Sequence, residues 1–219
     1  MTMRAAGPGA GDGRVPSGIE HLDQDALTEL FNIGLHRAAA SLSELTGQRI
    51  IVDLPRLWVC PIAETHDRLL ELMNGDLATV HQIFRGTVTG DAVLVLEYAN
   101  AARLATLLTD GSVGVGGRLD QSAREVLAEV GNVILSSCLS AFGDMLQVSV
   151  SFSVPRIHVE SLDAMLRSLQ VDNTDLRYAL LAATRFRLTE GEVGGFLIVA
   201  VGMSSLTLIS RALAAREGQ

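Results

Sequence analysis

The sequence predicts an α+β fold with an internal pseudo-two-fold repeat, in which long amphipathic helices flank one antiparallel sheet. Two long segments carry apolar residues at helical spacing, and each is followed by a β-rich run and later by a hairpin pattern. The two sets lie 100 residues apart, since Asn32 and Pro55 recur as Asn132 and Pro155. Such self-similarity indicates that each half forms the same supersecondary unit.

The first half begins with residues 1–19, which are rich in Gly, Ala and Pro without a period and are therefore predicted to be disordered. A long amphipathic helix is predicted over 23–47, because its apolar residues recur on one helical face. These residues are Leu27, Leu30, Phe31, Gly34, Ala38 and Leu42. A strand is predicted over 49–54, ending at Pro55, and a polar, partly helical stretch follows it. A hairpin of 82–88 and 92–98 is predicted about a Thr-Gly-Asp turn. The first half ends with a helix over 101–109 and a Gly-rich linker over 111–117.

The second half repeats this order of elements. Its predicted elements are a helix over 121–143, a strand over 147–154 that ends at Pro155, a hairpin of 180–188 and 195–201, and a final helix over 204–215. We therefore predict a single domain over 20–219, made of two repeats at about 20–110 and 118–216.

The composition excludes several classes of function. All 17 basic residues are arginine, which excludes Walker phosphate loops, Schiff bases and Ser-Lys catalysis because each of these needs a lysine. The formal net charge of −8 offers no basic surface to a nucleic-acid backbone. The five histidines are scattered without metal-ligand spacing. We expect a folded protein as the partner, with no nucleic acid, no protein-bound metal and no cofactor of the chain's own.

The cysteines and the apolar runs predict the compartment. Cys60 and Cys138 lack CxxC spacing and have apolar neighbours, so they are expected to be buried free thiols in a reducing environment. Apolar runs such as 194–203 are far shorter than the roughly 20 residues that span a bilayer, and the N-terminus lacks a signal-peptide core. A soluble, cytoplasmic protein without membrane contact is therefore expected.

Each long helix carries a polar stripe nearly opposite its apolar face. The stripes consist of Asp25, Glu29, Asn32 and His36 on the first helix and of Glu125, Glu129, Asn132 and Ser136 on the second. For either helix alone, a solvated surface explains such a stripe. A solvated surface has no reason, however, to place a carboxylate and an amide three residues apart twice, with a proline 23 positions beyond each asparagine. The repetition indicates a functional site.

The pattern Asp/Ser-x3-Glu-x2-Asn-x22-Pro resembles the signature of the CheC/CheX/FliY chemotaxis phosphatases. The first copy matches at every position, and the second departs only at Glu125, where the family has Asp or Ser. Two copies resemble CheC, because CheX is similar in fold but carries one site. Leu35, His36 and Arg37 stand where the family usually has small residues and are predicted to crowd the first site. The resemblance covers about 21–215 and implies a CheC-like fold.

This resemblance implies a phosphatase that removes the phosphoryl group from the aspartyl phosphate of a CheY-like response regulator. The roles it implies are orientation of the attacking water by Asn32 and Asn132, docking of the regulator's lysine by Glu29 and Glu129, and peripheral partner contacts by Asp25 and Glu125. The Mg²⁺ ion belongs to the regulator's pocket. The alternative is a binding module without catalysis, which sequesters a response regulator or regulates a CheD-like receptor deamidase. The duplicated halves favour a monomer.

Overall fold

The computed structural model describes residues 23–73, 75–109, 111, 118–172, 176–188 and 191–217. The predicted disordered segment 1–19 and most of the predicted linker 111–117 lie outside the described residues. The elements of the first half are α1 (Gln24–Thr46), β1 (Ile51–Val52), β2 (Arg56–Pro61), a 3₁₀ turn (Ile62–Glu64), α2 (Thr65–Leu70), β3 (Leu77–Gly86), β4 (Gly90–Glu97) and α3 (Tyr98–Leu108). Those of the second half are α4 (Gln121–Leu146), β5 (Val150–Phe152), β6 (Arg156–Glu160), α5 (Leu162–Asp172), β7 (Leu176–Leu188), β8 (Gly191–Gly202) and α6 (Met203–Glu217).

The strands in the described part of the chain form one eight-stranded antiparallel sheet. Six of them follow the order β1-β7-β8-β4-β3-β5, and β2 and β6 pair beside this path. The hairpins β3–β4 and β7–β8 lie at its centre and are joined through the pairing of β4 with β8. The short strands cross between halves, because β1 and β2 pair with β7 whereas β5 and β6 pair with β3. The predicted α+β fold with an antiparallel sheet is confirmed, and the pseudo-two-fold relation of the halves stays a prediction.

The structure differs from the sequence prediction in the stretches that follow the two prolines. β2 and β6 begin directly after Pro55 and Pro155, and the predicted strands 49–54 and 147–154 are reduced to β1 and β5. Most residues of β2 and β6 are half-buried or exposed, so their sequences lack the alternation that marks a strand with one buried face. The turn of the first hairpin is 87–89 instead of Thr-Gly-Asp, because Gly90 already pairs with Phe84.

The two long helices begin and end at residues that satisfy their free backbone groups. At the start of α1, the Asp23 side chain accepts hydrogen bonds from the amides of Asp25 (2.8 Å) and Ala26 (3.0 Å). Gly47 ends this helix in the left-handed conformation, with φ of 70°. Asp120 caps α4 by accepting a 2.8 Å hydrogen bond from the amide of Ala123. Capping therefore fixes the helix limits close to the predicted ones.

α1 and α4 pack directly against each other within the main core of the protein. Gly34 of α1 faces Cys138 of α4 so closely that a Cβ atom on Gly34 would lie 2.6 Å from the Cα of Cys138. Phe31 and Phe142 form an edge-to-face pair in the same interface, with ring centroids 5.2 Å apart. A smaller apolar cluster includes Leu69 of α2. The two stripe-bearing helices thus form one rigid layer.

One described helix, Gln121–Met145 within α4, is long and apolar enough by length and composition alone to cross a membrane. The prediction from unbroken apolar runs missed it because Glu125, Glu129 and Asn132 interrupt the run. Of its most apolar stretch, 56% is buried inside the protein, and the helix contacts α1, β3 and β4. Burial in the core accounts for the apolar composition of α4.

Both thiols are expected to be unreactive in the folded protein. Cys60 and Cys138 are free and buried, as predicted, and burial raises the pKa of both thiols above the usual value. Since the thiolate is the reactive form, Ellman's reagent should label neither cysteine at pH 8 over minutes and both at once in guanidinium chloride. Cys60→Ser and Cys138→Ser variants assign any labelling. Rapid labelling of the native protein would contradict the buried placement.

Candidate functional site

The stripe of the second helix lies on the solvent side of α4. Glu125 and Glu129 are exposed, and Asn132 is half-buried one turn beyond Glu129. Glu125 accepts a 2.8 Å hydrogen bond from Nε2 of Gln121, whereas the described part of the chain provides no hydrogen bond or ion pair to Glu129. Ser136 donates to the carbonyl oxygen of Asn132 at 2.6 Å, so its hydroxyl hydrogen is used within the helix. Glu129 is therefore the carboxylate of this stripe that is free to bind a partner cation.

The Asn132 side chain is held by a residue that the sequence analysis missed. Nε2 of Gln82 in β3 donates to Oδ1 of Asn132 at 3.1 Å and to the carbonyl oxygen of Ser153 at 2.9 Å. Gln82 is only 1% exposed. The available signal was a polar residue at an inward position of an alternating strand, since its neighbours on the same face, Val80 and Phe84, are buried and apolar. The bridge brings β3, α4 and the segment before Pro155 together.

The stripe of the first helix has a different internal arrangement. Glu29 is exposed and Asn32 half-buried, and Nδ2 of Asn32 donates to Oε2 of Glu29 at 3.3 Å. Oδ1 of Asn32 is buried without a hydrogen-bond partner in the described part of the chain. His36 lies with Nδ1 2.8 Å from the carbonyl oxygen of Asn32, and Asp25 is exposed near the helix start. In this stripe the glutamate and the asparagine are paired with each other.

The predicted crowding of the first site is wrong for one of its three residues. Leu35 is fully buried in the core, because it lies on the inner face of α1 next to Gly34. His36 and Arg37 are exposed, and Arg37 forms a 2.5 Å ion pair with Asp144 of α4. Although Leu35 lies three residues beyond Asn32, its side chain is directed into the core and leaves no bulk at the surface. Of the three residues, only His36 and Arg37 thus leave exposed bulk after the first asparagine.

Among the described residues, no group of three His, Cys, Asp or Glu side chains is arranged to hold a metal ion. In each stripe an exposed carboxylate lies one turn before a half-buried amide. Such a surface can accept a cation, and it can donate to or accept from a water molecule. Its chemistry is that of orientation and docking, because neither stripe contains a nucleophile paired with a base.

Comparison with known proteins shows which proteins this chain resembles. No family model matches the chain. Over 156 residues it is 24% identical to "CheY-P phosphatase CheC" of Bacillus subtilis, which covers 68% of the chain and 72% of that protein. Over 142 residues, 64% of the chain, it is 22% identical to "Flagellar motor switch phosphatase FliY" of the same species, of whose length it spans 36%.

Solved structures show the same fold. The crystal structure of Thermotoga maritima FliY matches with a TM-score of 0.72 and 17% identity over 92% of this chain and 98% of that one. In sequence and in fold the chain is similar to proteins of the CheC/FliY type. The fold also occurs in FliM of H. pylori, solved in a FliG-FliM complex, with a TM-score of 0.57 and 10% identity over 87% of this chain and all of that one. The CheC/FliY type predicted from the two motif copies is thereby confirmed.

Proposed function

We propose that the chain is a phosphatase that hydrolyses the aspartyl phosphate of a CheY-like response regulator. The observation that carries this proposal is an exposed glutamate followed one turn later by an asparagine on each of two adjacent helices, in a chain of the CheC/FliY type. The curated relatives, both named as phosphatases, support a chemotaxis role of this kind. The fold alone does not carry it, because the same fold occurs in FliM.

The chemistry asks little of the phosphatase. An aspartyl phosphate is a reactive acyl phosphate, and the regulator's own pocket supplies Mg²⁺ and a lysine, so no cofactor of this chain is needed. What remains is to hold a water molecule in line with phosphorus. Asn32 and Asn132 are assigned to this task, because a neutral amide both donates and accepts hydrogen bonds but cannot act as a general base.

The carboxylates are assigned to docking. Glu29 and Glu129 are exposed and lie one turn before the asparagines, where each can form a charge-assisted hydrogen bond with the regulator's lysine. Asp25 and Glu125 lie a further turn away and are proposed as peripheral contacts. Because Glu129 is unpaired among the described residues whereas Glu29 contacts Asn32 at 3.3 Å, the second site is the more open of the two. We propose a cytoplasmic monomer with these two sites.

The test is the decay of a phosphorylated CheY-like regulator, followed with and without the protein. We expect the protein at catalytic concentration to accelerate phosphate release about tenfold or more, which corresponds to at least about 1.4 kcal/mol of transition-state stabilisation. Regulator without the protein gives the spontaneous rate, and a beryllofluoride-loaded regulator measures affinity in parallel. Unchanged decay across several CheY-like regulators would rule out the phosphatase proposal.

The second candidate function is a binding module, and the occurrence of the fold in a FliG-FliM complex favours it. Such a module would sequester a response regulator or regulate a CheD-like receptor deamidase without turnover. The two functions differ in the same experiment. A binding module shows affinity for the loaded regulator, or for a CheD-like protein, while the rate of phosphate release stays at its spontaneous value.

A further inference from the structure

We propose that Gln82 is a positioning residue of the second site, which orients the Asn132 amide before any partner docks. The inference rests on the proposed function, since it assigns to Gln82 the task of holding the asparagine that orients the attacking water. It acts through Asn132 and makes no contact with the regulator itself. The residue lies 50 positions before Asn132, in the first half of the chain, so no motif of the second half includes it.

The direction of the two amides follows from a backbone group. The carbonyl oxygen of Ser153 can only accept, so Gln82 must turn its Nε2 toward it, at 2.9 Å. The second hydrogen on Nε2 then points to Asn132, which must offer its oxygen at 3.1 Å. One lone pair of Oδ1 is thereby engaged and the other can still accept, while Nδ2 of Asn132 has no hydrogen bond among the described residues. A chain of hydrogen bonds that starts at a carbonyl fixes which end of Asn132 the partner meets.

The surroundings of Gln82 indicate that this bridge is its role. Val80 and Phe84, the residues before and after it on the same strand face, belong to the main core, and Gln82 is itself 1% exposed. Its Oε1 is buried without a hydrogen-bond partner in the described part of the chain. An apolar side chain of the same size would fill this place without burying an unsatisfied Oε1, but it would donate to neither Ser153 nor Asn132. The glutamine is therefore explained by what its Nε2 holds.

The first site provides an internal comparison. The amide of Asp53 donates to the carbonyl oxygen of Arg185 (3.0 Å) as that of Ser153 does to Ile83 (2.9 Å), so the residue that corresponds to Gln82 is Thr184. Thr184 donates its single hydroxyl hydrogen to the carbonyl oxygen of Asp53 at 2.9 Å. The hydroxyl has no second hydrogen to donate, whereas the two hydrogens on Nε2 of Gln82 reach two acceptors.

The consequence appears at the first asparagine. Oδ1 of Asn32 is buried and has no partner among the described residues, and its Nδ2 turns to Glu29. At both sites a strand side chain donates to the carbonyl oxygen two residues before the proline, that of Asp53 or of Ser153. Only at the second site does the same side chain also bind the asparagine. Holding the amide is a separate feature of the second site and not a by-product of the fold.

The test uses Asn32→Ala as the parent, so that all turnover comes from the second site. Gln82→Met and Gln82→Leu keep the volume and remove the donors. We expect kcat for the phosphorylated regulator to fall about tenfold with KM unchanged, because the reacting water is oriented less well while docking is intact. The matched control is Thr184→Val, which removes the corresponding donor near the first site and should leave the parent's kcat unchanged. An unchanged kcat in both Gln82 variants would overturn the proposal.

A second measurement does not depend on turnover. In ¹⁵N relaxation of the side-chain amides, Asn132 should be rigid in the wild type and mobile in Gln82→Met, whereas the signal of Asn32 keeps its relaxation rate. Equal mobility of Asn132 in the two proteins would overturn the positioning role, whatever the activity. A wild-type protein without turnover but with a rigid, Gln82-dependent Asn132 would instead contradict the proposed function and leave the positioning role supported. Thermal unfolding of each variant confirms that the folded proteins are compared.

Discussion

Replacing both Asn32 and Asn132 with alanine should return the decay of a phosphorylated CheY-like regulator to its spontaneous rate. The rate should fall about 100-fold, or by the whole acceleration where the wild-type acceleration is smaller than that. Each amide is assigned to hold the attacking water, and neither stripe offers another group three residues from the glutamate that both donates and accepts. Single-turnover phosphate release measures this loss. Asn32 and Asn132 are half-buried, so the folded state should survive the change.

The two single variants should lose different amounts of turnover. Asn132 is oriented by Gln82 and stands beside a free Glu129, whereas Asn32 shares a hydrogen bond with Glu29 that must break before either group meets the regulator. Asn132→Ala should therefore cost more turnover than Asn32→Ala.

Charge variants provide the control for docking. Glu129→Gln keeps the size of the side chain and removes its charge, so KM for the regulator should rise while kcat changes less. A double asparagine variant that retains full turnover would contradict the assignment of the amides. One that loses regulator affinity together with turnover would assign them to docking instead.

The sequence predicted the elements whose signal is local. α1, α4 and the two hairpins follow from apolar periodicity, and the Glu-x-x-Asn pairs of both stripes follow from their repetition at a spacing of 100 residues. β2 and β6 were missed because they are stabilised by pairing with β7 and β3, far away in sequence, and not by an alternating pattern of their own. Long-range pairing leaves no mark in a short window of sequence.

The same limit applies to the site. The stripes could be read from helical period, but the contact that distinguishes them joins Gln82 to Asn132 and Ser153, three segments that only the sheet brings together. Leu35 shows the opposite error, because the comparison of motif positions assigned it to the site whereas its side chain is buried in the core. Sequence patterns thus indicate which residues face outward, and tertiary contacts decide how they are held.

Gly34→Ala should destabilise the protein, against the usual effect of this change in a helix. Alanine in a helix interior is favoured over glycine by about 1 kcal/mol, so a neutral site would gain stability. Here the added Cβ would lie 2.6 Å from the Cα of Cys138, and α1 must move away from α4. We expect a net loss of about 2 kcal/mol from overpacking, seen as a fall of about 4–8 °C in the melting temperature of a chain of this length.

Two variants determine whether close packing of the helices is the cause. Gly194→Ala adds a methyl group where no atom lies within 4 Å and should leave the melting temperature unchanged within about 1–2 °C. Cys138→Ala should not rescue Gly34→Ala, because the closest atom is the backbone Cα and not the thiol. Rescue would show that the side chain alone limits the approach. Since α1 and α4 carry both stripes, the close contact at Gly34 also fixes the spacing of the two sites, and its loss should impair turnover as well as stability.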